Sequence, residues 1–420
     1  MIAIWSEGIA RALRATAMSP APLVHGIPDK VGTCPSRSLP RQHLVVAGAF
    51  SPLSGTTPMT PIQPAVAYSA DVEQRAPDED ATIAELVEVF TRMAGVVAVH
   101  EGHAHRAVHA KGHALLRGRF QVLDGLPPEL RHGLFTSPAG YDALVRLSSP
   151  PAEQLPDTVS TPRAMAVKIL DVPGARVEGG DEQHSQDFLM VNGPAFNTPG
   201  ISGFLRSAKL LAATTERMPR TKQVLSATLR GTEAALEAVG GQSASLKALG
   251  GEPQHHPLGE TFFTQVPFRY GPYMAKFSWV PVSPALVALT GQKLPSEADT
   301  QREAVAAFFA QPGAVAEWEL RVQLCRDLEK MPIEDASVVW PEELSPFQPV
   351  GRLVVSEQSS WNADAEASED RLAFAPWHAL AAHQPLGNIN RARRIVMAAS
   401  RDFRARFNRC PIHEPSARNI

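Results

Sequence analysis

Apolar residues first recur at helical spacing in DEDATIAELVEVFTRMAG, where Ile83, Leu86, Val87, Phe90 and Met93 share one face. Acidic residues open that segment, as the helix dipole favours. Beyond it the pattern changes to short runs divided by Gly and Pro: ALLRGRFQVLD, DALVRLSS, RAMAVKILDV, QDFLMVN, FTQVPFRYGPYMAKFSWVPVS, EWELRVQLCRD and GRLVVSEQ. Several alternate apolar and polar with period two and are rich in Val, Phe, Leu and Tyr, which predicts strands. No helix of about 10–15 residues separates each run from the next. Antiparallel pairing and closure into a barrel are therefore expected. Helical stretches are predicted at about 203–217, 220–249 and 297–310, and a last helix from near Leu386. The fold class is α+β, an antiparallel β-barrel with surrounding helices, and the sequence holds no internal repeat.

Composition adds boundaries. Residues 19–78 are dense in Pro, Ser, Thr and Gly, a mixture that does not offset the entropy of ordering a core. Residues 1–78 are thus expected to form a disordered N-terminal extension, 79–412 the folded domain and 413–420 a tail. The start, MIAIWSEGIARALRATAMS, carries Arg and amphipathic spacing but also Glu7, and it lacks the apolar centre of a secretory signal. No apolar run approaches the ~20 residues that span a bilayer. The net charge of −3 and the pI near 6.5 offer no footprint for nucleic acid or an anionic membrane. Cys34, Cys325 and Cys410 are odd in number and far apart, which suits a reducing compartment. A soluble, cytoplasmic protein is the expectation, with a homodimer compatible with the sequence.

The chemistry gathers in RAVHAKGHALLRGRF. His109 and His113 lie four apart, and His100, His103 and His105 precede them, so that five of the 14 histidines fall within fourteen residues. Such a cluster can be a metal site, a catalytic histidine with neighbours, or a basic element end. No HExxH motif or cysteine ligand accompanies it.

Four blocks in order from Arg106 resemble the haem catalase superfamily. RAVHAKG matches the strand-borne R-x-x-H-A-K-G that carries the distal histidine; VRLS, Val145 to Ser148, matches V-R-F-S; DTVSTPRAMAVK matches D-x-V-x-x-P-R-G-x-A-V-K, with Ala164 where glycine is usual; and DFLMVNGPAF, Asp187 to Phe196, matches D-x-x-x-N-N-T-P-x-F. The resemblance implies a compact catalase-related domain that binds haem b (iron protoporphyrin IX) and acts on hydrogen peroxide or organic hydroperoxides. His109 would be the acid and base that moves a proton between the peroxide oxygens. Ser148 would hold its tautomer. Arg106 and Arg146 would fix the haem propionates, and Val108, Phe196 and Phe204 would line the macrocycle. The other histidines of the cluster would lie at the surface or the pocket rim.

Two departures from the family pattern bear on activity. The family's distal asparagine aligns, without a gap, with Val191, and its neighbour Asn192 could serve only if a bulge re-aimed it. On the proximal side the family sets R-x-x-x-Y on a helix. PWHALAAHQPLGNINRARRIVMAASRDFRARFNR supplies Arg393, but Met397 stands at the tyrosine position, with Arg404, seven residues further on the same helical face, as another propionate residue. Tyr68, Tyr141, Tyr270 and Tyr273 all lie elsewhere. A thioether is neutral and soft where a tyrosinate is anionic, so catalase turnover would be weakened if Met397 were the axial iron ligand. Met397 as a core residue, and a non-enzymatic haem carrier, sensor or haem-free scaffold, are the competing expectations.

Overall fold

In the computed structural model, which describes residues 63–178, 184–215 and 253–417, eight antiparallel strands close on themselves. They are β1 (Lys111–Val122), β2 (Gly140–Ser149), β3 (Ala164–Ile169), β4 (Gln186–Val191), β5 (Phe262–Phe263), β7 (Tyr273–Pro281), β8 (Val315–Leu324) and β9 (Gln348–Ser356). The ring runs β1-β2-β3-β4-β5-β7-β8-β9 and returns to β1, and the short β6 (Phe268–Tyr270) hangs on β7 as a hairpin. Closure removes every free edge from the ring.

The period-two pattern sorts the strands. Val145 and Leu147 of β2, Met165 and Val167 of β3, Phe188 and Met190 of β4, and Phe277 and Trp279 of β7 all join one buried cluster in the lumen. Phe188 and Phe120 both meet Trp279 edge-on, at 6.4 and 6.0 Å between ring centroids. The barrel is therefore filled, as expected of small barrels. Arg146, Ser148, Lys168 and Lys276 have the opposite parity and point to its outside.

Six α-helices of the described residues surround it: α1 (Glu79–Glu101), α2 (Ile201–Thr215), α3 (Pro284–Val287), α4 (Thr300–Phe309), α5 (Ala363–Arg371) and α6 (Asn388–Phe407). Leu86, Phe90 and Met93 of α1, Ile201 and Leu205 of α2, and Ile389 and Ala392 of α6 form a second core against the barrel. None of the described helices is long and apolar enough to cross a membrane. The helices predicted near 203–217, 297–310 and 386 appear within a few residues of those positions, and the one predicted at 220–249 lies outside the described residues.

Both ends of the folded region reach further than composition implied. Val66 N–H donates to Cys325 O at 2.8 Å and Tyr68 N–H to Pro272 O at 2.7 Å. Val66, Tyr68 and Val72 cover an apolar cluster of Met274, Trp340 and Leu386, and that burial orders a segment expected to be part of the extension. Residues 1–62 lie outside the described residues. At the other end His413 N–H donates to Arg371 O at 3.0 Å, and Glu414 pairs with Lys168 at 2.6 Å.

Gly351 of β9 sits where Phe120 crosses the lumen, and a Cβ there would collide with the phenyl ring. Gly351→Ala is expected to lower stability by about 1–3 kcal/mol, the usual range for overpacking. Urea unfolding followed by circular dichroism checks this; an unchanged midpoint would mean that Phe120 has room to move.

Candidate functional site

His109 lies in the loop between α1 and β1, two residues ahead of the strand rather than on it. Its φ of 55° is a left-handed conformation that a histidine adopts under constraint. Arg146 supplies the constraint, donating from Nη2 to His109 O at 2.8 Å. Burial, then the charges of Arg146 and Arg393, pull the imidazole down to about 3, with only the Ser148 backbone opposing. His109 is thus neutral across the physiological range and a weak base. Its Nδ1 is buried with no hydrogen-bond partner. The expected Ser148 hydroxyl contact to that nitrogen is therefore not made; Ser148 touches the ring through its backbone.

The extra residue that bends the wall is in β1, not β4. Gly112 opposes Ser148 and Ala114 opposes Leu147, so His113 is inserted as a bulge. His113 is fully buried with Nε2 3.0 Å from Ser149 Oγ, which makes it a core residue and not the rim residue expected of the cluster. His103 and His105 pair with Asp370 and Glu101. Among the described residues no three His, Cys, Asp or Glu side chains converge to hold a metal.

Register fixes the face that Val191 takes. Gly112, Ser148, Ala164 and Val191 are successive cross-strand partners and share the outer face. The β3–β4 register is continuous, so no bulge re-aims Asn192. Asn192 instead accepts from Arg163 N–H at 2.9 Å and donates to Glu260 at 3.2 Å.

The three arginines expected to bind propionates converge on the end of α5, two of them on the Glu369 carboxylate and the third on backbone carbonyls. Arg106 Nη1 donates to Glu369 Oε1 at 2.9 Å, Arg146 Nε donates to the same oxygen at 2.5 Å, and Arg404 bonds the carbonyls of Asp370 and Leu372 at 2.9 Å each. Arg106 also bonds the carbonyls of Glu369 and Leu372 at 3.0 Å. Burial pushes the Glu369 carboxyl up, but Arg146 and then Arg106 outweigh it and hold the group below its ordinary value of 4.5. Glu369 and Trp361 press directly on the barrel: a Cβ on Gly112 would lie 2.6 Å from each. Sequence reasoning missed Glu369. Its one signal was an acidic helix, ADAEASEDR, placed just ahead of the basic terminal segment.

On α6, Met397 is half-buried and lines a cavity of about 370 Å³, together with Val108, Phe374, Trp377, Arg394 and Ser400. His109 is not among its lining residues. Arg394 stacks on Trp377 at 4.9 Å, and Ser400 Oγ accepts from Ala107 N–H at 3.2 Å. Arg393 makes one long contact, 3.4 Å to Asn390 Oδ1, and burial alone pulls it down to about 10. Phe196 and Phe204 meet edge-on at 5.3 Å, and Phe204 lies 5.7 Å from Phe90, so both belong to the helical core that also takes in Val108.

Solved catalases match this architecture. A bacterial catalase superposes with a TM-score of 0.52 at 16% identity over 83% of this chain and 66% of its own. Catalase A from Saccharomyces cerevisiae gives 0.50 at 19% identity, over 75% and 64%. The chain has a catalase-like fold. A fungal catalase gives 0.49 at 18% over 74% and 62%, so the chain spans less than two thirds of each of these catalases. No protein-family model matches the sequence, and no curated protein matches it.

The side chains of this catalase-like chain do not fit haem held as the sequence resemblance implies. Propionates need free guanidinium donors, but Glu369 engages Arg106 and Arg146, and carbonyls at the end of α5 engage both Nη atoms of Arg404. An arginine before a tyrosinate balances its charge, but Met397 supplies none, and Arg393 has no carboxylate partner among the described residues. What the arrangement can do is bind a small apolar molecule beside Val108, Trp377 and Met397. Arg394, stacked on Trp377, and Arg401, paired with Asp402 at 3.3 Å, border that space.

Glu369 titrates below its unfolded value, so its contribution is present above about pH 4.5 and is lost as the pH falls further. His109 adds to the same acid sensitivity, because its folded value is depressed and protonation favours the unfolded chain. Glu369→Gln is expected to cost about 3–5 kcal/mol at pH 7, since it strands buried guanidinia. It should also flatten the acid limb of the stability curve; thermal melts from pH 3 to 7 measure both effects, and an unaltered limb would count against the arginine–Glu369 cluster.

Proposed function

We propose that this chain is a catalase-fold binding protein that has lost peroxide disproportionation, and that its pocket holds a small apolar molecule with an anionic group. The observation that carries this reading is the Glu369 carboxylate seated among the arginines that the resemblance assigns to haem propionates. Val191 on the outer face and Met397 on α6 support it, because each puts an apolar side chain where catalase chemistry needs a polar or anionic one.

A second reading has its own support: a haem-dependent, catalase-related oxidoreductase for hydrogen peroxide or organic hydroperoxides, weakened by Met397. It rests on His109, whose Nδ1 is buried without a partner, and on Arg393, which lacks a counter-anion among the described residues. Under it, Arg106 and Arg146 would have to exchange Glu369, and Arg404 its backbone carbonyls, for propionates.

Purification of the full chain from cells supplied with haem separates the two. The first reading expects no Soret band and no oxygen evolution from peroxide. It also expects Met397→Tyr alone to stay colourless, while Met397→Tyr with Glu369→Ala gains haem. A Soret band in the unmodified protein, with peroxide consumption that collapses in His109→Ala, would establish the second reading instead.

A further inference from the structure

A second cavity, of about 360 Å³, shares no lining residue with the first. Its polar centre is Lys276 of β7, on the outer face of the barrel between the lumen residues Ala275 and Phe277. The cross-strand partner of Lys276 is Gln323, whose Nε2 donates to Trp340 O at 3.1 Å and Ser345 O at 2.9 Å. Those bonds pin the segment 338–345 over the lysine.

Lys276 is 4% exposed. Its Nζ donates to Val338 O at 3.1 Å and lies 4.9 Å from the Trp340 ring centroid. An ammonium has three donors, and one carbonyl plus a π-face is a thin shell for a buried cation. No carboxylate of the described residues is within ion-pair range of it. Asp335 and Cys325 are the titratable groups that act on it, the thiol itself kept protonated by burial, while Glu342 and Glu343 border the cavity. Burial outweighs Asp335 and draws the amine from 10.5 to about 8.

Part of the cavity wall is apolar. Phe263 and Phe347 stand 5.9 Å apart there, and Val339 and Pro341 also line the space. Gln265, in a left-handed conformation at φ 62°, donates to Gly193 O at 3.1 Å and Ala195 O at 2.5 Å and so fixes the neighbouring wall. A desolvated lysine beside an apolar cavity wall is the arrangement that makes an amine nucleophilic.

We propose that Lys276 is a nucleophilic lysine and that its cavity captures small aromatic aldehydes as an imine. The Nζ lone pair attacks the carbonyl carbon and a C–N bond forms. The carbonyl oxygen leaves as water, carrying both amine protons, and no oxidant or reductant is needed. This does not depend on the function proposed for the other pocket.

The test treats the full-length protein with benzaldehyde and sodium cyanoborohydride and maps benzylated lysines by peptide mass. At pH 7 Lys276 should react about tenfold faster than the exposed Lys209 and Lys330, the margin expected of a desolvated amine. Its rate should level off above about pH 8. Benzaldehyde should also quench tryptophan fluorescence saturably, and Lys276→Arg, which keeps a cation over Trp340, should abolish the saturation. Equal labelling of Lys276 and the exposed lysines, or a Lys276 rate still climbing past pH 10, would overturn the proposal; so would saturation that persists in Lys276→Arg.

Discussion

Glu369 is the fulcrum of the site. Taking a carboxylate out of water costs several kcal/mol, and a single surface ion pair would not offset it. Here guanidinia from the loop (Arg106) and β2 (Arg146) meet the carboxylate itself, while Arg404 of α6 bonds the carbonyls at the end of α5. Those carbonyls carry the negative end of the helix dipole and share out the excess positive charge. Four elements are thereby tied at one point. The segment 373–378, which walls the first cavity, follows directly from that clamp.

The same principle runs round the barrel. Strand alternation throws polar side chains outward, where most barrels leave them in water, but helices and loops form a second layer here. Each outward cation must then find an internal partner. Arg146 finds Glu369. Lys168 finds Asp187 at 2.9 Å, His378 at 3.1 Å and Glu414 of the terminal segment. Lys276 finds a carbonyl and an indole, and among the described residues it is the one of these three without a carboxylate partner.

On the proposed binding reading, one set of charges carries the difference from a haem protein. Met397 on α6 is neutral, and Arg393 has no carboxylate partner among the described residues. Glu369 supplies an anion to Arg106 and Arg146 from the protein itself. The filled lumen lies apart from these charges, on the other face of the strands.

Much of this was legible in the chain alone. Val145 and Leu147 alternating with Arg146 and Ser148 announce a strand with one buried face, and Ile83, Leu86, Phe90 and Met93 announce a helix, because local periodicity reports burial directly. The order of RAVHAKG, VRLS and the later blocks pointed to the fold that the solved structures share. Only the tertiary structure decided how those residues are spent. It placed the bulge at His113 rather than beside Asn192, turned Asn192 toward Arg163 and Glu260, and brought Glu369 to Arg146 across 223 residues of sequence. Such choices depend on which charges meet when two distant segments pack, and a carboxylate's partner, unlike a strand's buried face, leaves no period in the sequence.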